Sequence, residues 1–171
     1  MAPIIPFTAD EVWPFLPSKE KKTSVHEELF LLAREDFKDE HLIERWGLLM
    51  NIRKEITKAL ELARQAKTIG HSLDADITMV MPAELFKELE GYKDELRTMC
   101  IVSSIEFMKE GTMQGKYESS EYPGLTVAVA PSSFPKCERC WMHDSTIGHD
   151  AEHPALCKRC AQVVKRLDDG A

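Results

Sequence analysis

Four of the five cysteines in this chain stand in two close pairs, Cys137 with Cys140 and Cys157 with Cys160, giving the spacing C-x2-C-x16-C-x2-C. A two-residue gap lets both sulfurs of a pair face one point, and two such pairs complete a tetrahedron around a metal ion at about 2.3 Å per bond. The spacing lies inside the four-cysteine zinc pattern. A closed shell of four thiolates leaves no coordination position for substrate, so the ion, Zn2+, would be single and structural. A redox C-x-x-C would follow a strand and open a β-α-β unit, and no such context surrounds either pair. His143, His149 and His153 lie between the pairs as secondary ligand candidates. For so short a segment, metal binding is itself the folding energy. The apolar residues available for an organic core are few: Trp141, Leu156, Val163, Val164 and Leu167. The fifth cysteine, Cys100, reads as a small buried hydrophobe at the start of a strand.

The two cysteine pairs also carry charge. Arg139, Lys158 and Arg159 sit at their tips, and Trp141 directly follows the first pair. Cations that contact phosphate, beside an aromatic ring that stacks on an unpaired base, are a recurring means of holding RNA. Acidic residues around them bring the local net charge near zero, so binding would rest on geometry.

The elements that must position these groups come next. Apolar residues recur at Leu42, Trp46, Leu49, Ile52, Ile56, Leu60 and Ala63, which predicts one amphipathic helix over 39–69, ended by Gly70. Arg45, Arg53 and Arg64 lie on its other faces and could follow a phosphate backbone. Upstream, Thr8 and Glu11 form a capping box for a short helix that Pro17 stops. Trp13 and Trp46 read as core anchors. Beyond Gly70 the period changes. Residues 75–81 and 125–130 alternate as strands, Pro82 opens a helix over 83–92, residues 97–108 read as a further strand, and 109–124 as a loop or hairpin turn. The fold class is therefore α+β in three segments: a helical part over 1–70, a small β-α-β-β module over 71–131 and a four-cysteine finger over 132–171.

Composition narrows the function classes. The chain has 171 residues, with 22 basic against 29 acidic side chains and a net charge of −7, which excludes a polybasic nucleic-acid binder. With 43% hydrophobic and 30% charged residues it has the make-up of a folded domain. No apolar run reaches the roughly 20 residues of a membrane span, and no basic stretch precedes an apolar one at the N-terminus. A cytoplasmic setting with no membrane partner is expected, which favours metal ligation over disulfides. The abrupt start with a capped helix has the look of the tail of a longer protein.

The sequence Lys136-Cys-Glu-Arg-Cys-Trp141, followed by Leu156-Cys-Lys-Arg-Cys-Ala161 and Val163-Val164, resembles the C-terminal zinc module of bacterial isoleucyl-tRNA synthetases. Met1-Ala-Pro-Ile-Ile-Pro-Phe-Thr-Ala-Asp-Glu-Val-Trp13 and Ser24-Val-His26 resemble the end of that family's helical anticodon-binding domain. Residues 69–75 and Ile101-Val-Ser103 fit as well, so the resemblance is collinear over essentially the whole chain. A related finger occurs in formamidopyrimidine-DNA glycosylases, but their catalytic N-terminal proline context is missing. The resemblance implies a class I ligase that joins isoleucine to its tRNA with ATP. The H-I-G-H and K-M-S-K-S signatures are absent here, and Thr68-Ile-Gly-His71 matches the first only by accident at a helix end. ATP and isoleucine would then bind only in a catalytic domain outside this chain, and no catalytic residue is expected in it. The implied partners are the anticodon arm of tRNA(Ile) and the rest of a monomeric synthetase. Within the chain, the implied RNA contacts are Arg45, Arg53, Arg64, Arg139, Trp141, Lys158 and Arg159. The alternative expectation is a free-standing, non-enzymatic RNA-binding or interaction module, which would leave the stripe of Trp46, Leu49, Ile56 and Leu60 partly uncovered.

Overall fold

The structure is a computed structural model, and it describes residues 1–18, 20–109, 111 and 116–168. The chain divides into two compact units, Met1–Glu40 and His41–Ala171.

In the first unit, helix α1 (Pro6–Val12) runs into a 3-10 turn over Trp13–Phe15. It starts two residues before the expected Thr8 cap, because the fixed φ of Pro6 suits the first helical position, where no amide hydrogen is needed. The carbonyls left over at its end are taken by Lys21, whose Nζ donates to Trp13, Pro14 and Leu16 at 2.6–2.9 Å. The indole of Trp13 is half-buried and donates to the Lys22 carbonyl at 2.8 Å. Ser24 caps a second 3-10 turn, Val25–Glu27.

The second unit is built on helix α2 (Glu40–Gln65) and a four-stranded sheet. α2 buries Leu49, Ile52, Ile56, Ala59 and Leu60 on one stripe, as the periodicity requires. It ends earlier than Gly70. Lys67 takes a left-handed conformation (φ 58°), with its amide on the Arg64 carbonyl and the Thr68 amide on that of Ala63, which is a Schellman cap.

Four strands follow in the order β2-β1-β4-β3: β1 (Ala75–Val80), β2 (Ser104–Met108), β3 (Lys116–Glu118) and β4 (Thr126–Pro131). β1 pairs parallel with β2 and antiparallel with β4, while β3 pairs antiparallel with β4. Strands β1 and β4 lie where alternation predicted them. β3 falls within the expected turn region 109–124, of which residues 110 and 112–115 lie outside the described residues.

The strand expected over 97–108 is half helix. The crossover from β1 to β2 consists of α3 (Ala83–Leu89), a 3-10 turn and α4 (Lys93–Cys100). Asp94 and Glu95 in the first turn of α4 and Leu96 buried one turn before Cys100 favour helix there, and the strand begins only at Ser104. Cys100 is buried as expected, but it closes a helix. Its apolar setting pushes the thiol up to about 11.

Leu49, Ile52, Ile56 and Leu60 share one core with Ile77, Met79, Leu96, Ile105 and Val127. The stripe expected to lie partly uncovered is thus covered by the sheet module for Leu49, Ile56 and Leu60. Trp46 lies beyond that cover and is 42% exposed, so it is no core anchor. No described helix is long and apolar enough to cross a membrane.

Candidate functional site

The sulfurs of Cys137, Cys140, Cys157 and Cys160 all lie within 4.8 Å of one another. A regular tetrahedron with bonds of about 2.3 Å has edges of about 3.8 Å, and the Sγ atoms of Cys140 and Cys157 are 3.8 Å apart. Four soft donors at this spacing fit one tetrahedral ion. No other group of three or more His, Cys, Asp or Glu side chains with this convergence occurs among the described residues. His143, one of the secondary ligand candidates, faces away from the sulfurs toward Phe134 and Asp74.

Local backbone geometry builds the two knuckles. In the first, the Cys137 carbonyl accepts from the Trp141 amide at 2.9 Å, and Trp141 itself is left-handed (φ 64°). The turn is held open by the Cys137 amide donating to the Met142 carbonyl, beside a bridge between Lys136 and His143. The second knuckle runs into helix α5 (Lys158–Asp168), with the Ala161 amide on the Cys157 carbonyl at 3.0 Å. Thr146 Oγ1 accepts from the Lys158 amide at 2.9 Å and ties the helix start to the intervening loop.

Packing around the cluster differs from the expected apolar core. Cys137, Cys157 and Cys160 form the buried cluster, with Cys140, Ile147 and Leu156 against them, and Ala161 is buried beside Cys160. Trp141 is 63% exposed, and Val163 and Leu167 are also exposed. So little apolar surface cannot hold 30 residues by itself, which makes the cluster a structural metal site. Burial raises the Cys137 thiol, but amides of Cys140, Cys157 and Arg139 donate to it and lower it below its usual value, while burial and the neighbouring thiols raise Cys157.

The structure separates the expected RNA contacts into two groups. On α2, Arg45 lies over the Tyr92 ring at 5.7 Å, Arg53 donates to the Met99 carbonyl at 3.1 Å, and Arg64 pairs with Glu61. At 100° per residue these three fall within a sector of about 100° on the helix. In the finger, Lys158 and Trp141 are exposed, and Arg139 Nη1 sits 3.7 Å from Cys160 Sγ. Arg159 is exposed as a residue yet hydrogen-bonds the Cys140 thiol.

The finger is docked on the sheet module by contacts that residue spacing does not reveal. Ser103 Oγ accepts from the His143 amide at 2.7 Å and donates to the Leu73 carbonyl. Asp74 Oδ1 lies 3.5 Å from His143 Nε2 and 3.3 Å from Lys136 Nζ, while its other oxygen accepts from the His71 amide at 2.9 Å. Burial raises the Asp74 carboxyl, and the His71 amide and Lys136 outweigh it, holding the group below its usual range. Arg97 Nη1 reaches Met142 Sδ at 3.8 Å across the same junction. The spacing of Asp74 three residues after His71, that of a capping box, is the one signal that could have pointed to it.

Two known families meet on this chain. Residues 1–79 match the anticodon-binding domain of tRNA ligase, and residues 134–163 match the zinc finger found in FPG and IleRS. A segment similar to the anticodon-binding domain of tRNA ligase thus precedes a four-cysteine finger of the kind found in FPG and IleRS. The chain is 47% identical over 166 residues to the isoleucine–tRNA ligase of Geobacter sulfurreducens, 43% over 166 to that of Bacillus mycoides and 38% over 170 to that of Moorella thermoacetica. These alignments cover 96–98% of the chain and 18% of each relative. Over nearly its whole length the chain is thus similar to a segment of the isoleucine–tRNA ligases, and it spans about a fifth of the length of the curated relatives it matches.

Proposed function

We propose that this chain is the tRNA-docking part of an isoleucine–tRNA ligase, gripping the anticodon arm of tRNA(Ile) while a catalytic domain elsewhere in the enzyme joins isoleucine to the tRNA with ATP. The observation that carries the reading is the collinear match over almost the whole chain, together with a finger whose four sulfurs converge on one point. In this reading residues 1–70 close the helical anticodon-binding domain, 71–131 form a junction and 132–171 the finger, of which 169–171 lie outside the described residues. The enzyme is cytoplasmic and monomeric, and the partners are tRNA(Ile) and the rest of the synthetase.

In this reading the ion is Zn2+, which a tetrahedron of four thiolates suits, held by Cys137, Cys140, Cys157 and Cys160. Its contribution is to fold the finger and so to place the cations at its tips; no reaction step passes through it. Lys158, Arg139 and Arg159 would meet phosphate, and the exposed ring of Trp141 would stack on an unpaired base. Arg45, Arg53 and Arg64 would extend the contact along α2. Each phosphate so met releases counterions, which makes the affinity fall with salt.

Filter binding of the zinc-loaded chain to tRNA(Ile), and to the same tRNA with an altered anticodon, tests this over a salt series. Preference for the cognate tRNA, weakening with salt and lost on chelation, is expected. Absence of binding to either tRNA would overturn the docking role and favour a non-enzymatic interaction module.

A further inference from the structure

The two knuckles share an internal pattern. Arg139 stands between Cys137 and Cys140, and Arg159 between Cys157 and Cys160, each directly before the second cysteine. In the structure each arginine reaches across to the other knuckle, and Arg159 also touches the Cys160 sulfur of its own. Arg139 Nη1 reaches Cys160 Sγ at 3.7 Å, and Arg159 hydrogen-bonds Cys140 Sγ. The second cysteine of each pair is thus met by the arginine of the other. Cys137 receives backbone donors instead, including the Cys157 amide at 3.3 Å.

Electrostatics gives the arrangement a purpose. Four thiolates around a divalent ion carry a net charge of −2, and three of the four cysteines are buried. A buried excess charge is costly unless it is paired and hydrogen-bonded. Two guanidinium groups bring the sum to zero, and their planar forks suit two partners at once. Because each fork spans from one knuckle to the other, the pair also resists separation of the knuckles.

We propose that Arg139 and Arg159 form a reciprocal clamp across the metal centre, acting as positioning residues that neutralise the thiolates and lock the two knuckles together. The proposal rests on the metal reading given above. It assigns these two arginines a role prior to any contact with RNA. Their inward N–H groups serve sulfur, and metal retention depends on them whether or not tRNA is present.

The test is metal affinity in the full chain, by competition with a chromophoric chelator, for Arg139→Gln, Arg159→Gln, the double variant and the two Arg→Lys variants. Arg166→Gln, an exposed cation on α5, is the control. Cobalt(II) absorption reports in each case whether a tetrathiolate site is still formed. Each Gln variant is expected to lose about tenfold in affinity, the usual scale for groups that hydrogen-bond a metal ligand. The double variant should lose more, the Lys variants should fall between Gln and wild type, and the control should be unchanged. Wild-type affinity in the Gln variants overturns the clamp, and a reduced salt dependence of RNA binding alongside it returns both arginines to phosphate contact alone. If the Gln variants fail to fold, the Lys variants decide: reduced affinity supports the clamp and wild-type affinity overturns it. Failure of the wild-type chain to bind one equivalent of metal would instead sink the metal reading itself.

Discussion

The phenol of Tyr117 donates a 2.9 Å hydrogen bond to Oε2 of Glu55, a residue fully buried on the inner face of α2. The other carboxylate oxygen receives Lys58 Nζ at 2.7 Å. A charge sits inside the apolar interface between α2 and the sheet, and strand β3, of only three residues, supplies a principal donor. This contact ties the shortest strand to the longest helix. Removing the donor leaves a buried charge short of a partner. Tyr117→Phe should destabilise the second unit by about 1.5–3 kcal/mol, the range for hydrogen bonds to charged groups. Urea unfolding should show a lower midpoint with an unchanged slope.

The same carboxylate makes stability depend on pH. Burial raises the Glu55 carboxyl, but Lys58, Ser119 and Tyr117 outweigh it and hold it below the usual glutamate range. A depressed folded-state value adds stability above the unfolded value, and that stability is lost as pH falls through the folded value. The stability difference between wild type and Glu55→Gln should therefore be widest near neutral pH and close in acid, below the usual glutamate range. Acid release of metal affects both proteins and cancels in the difference. A gap that persists unchanged into acid would show that the charge is not what Glu55 contributes.

Removing one sulfur should melt the finger alone. Its buried residues are chiefly the cysteines, so the metal supplies what an apolar core would otherwise supply, on the order of 10–16 kcal/mol in finger peptides. Cys137→Ser or Cys160→Ser should unfold residues 136–167 and weaken tRNA binding, with the core of α2 and the sheet intact. Hydrogen exchange resolved by segment reads this directly: protection lost in α5 and retained in β1. Chelation of the wild-type chain should reproduce the pattern.

Ser103 links the finger to the sheet module through one hydroxyl that both accepts and donates. Ser103→Ala leaves the His143 amide and the Leu73 carbonyl without that partner, at a cost of about 1–3 kcal/mol. Exchange should quicken over 136–144 while metal affinity holds. Faster metal loss without faster exchange at the junction would contradict this division of roles.

Lys67 ends α2 in a left-handed conformation that costs an L-residue about 1–2 kcal/mol and a glycine almost nothing. Lys67→Gly should raise stability by up to about 1 kcal/mol, seen as a higher urea midpoint.

The metal site was legible in the sequence because its geometry is local. Two residues between sulfurs set each knuckle, whatever the rest of the chain does, and the four sulfurs converge as the spacing required. The stripe on α2 and the alternation of β1 and β4 were legible for the same reason, since burial on one face imposes a period of 3.6 or 2. Tertiary structure decided what depends on distant partners. Leu96 and Cys100 could join a helix or lead into a strand, and burial of both in the core, added to the acidic first turn of α4, selects the helix. The sheet order β2-β1-β4-β3, the short β3 and the buried Glu55–Tyr117 pair arise from pairings across many residues. Trp46 and Trp141 look like core side chains by type, yet the buried surface ends before it reaches them. Arg139 and Arg159 read as outward cations. Folding the two knuckles against each other brings Arg139 within 3.7 Å of Cys160 Sγ and Arg159 against Cys140, contacts between residues about 20 positions apart.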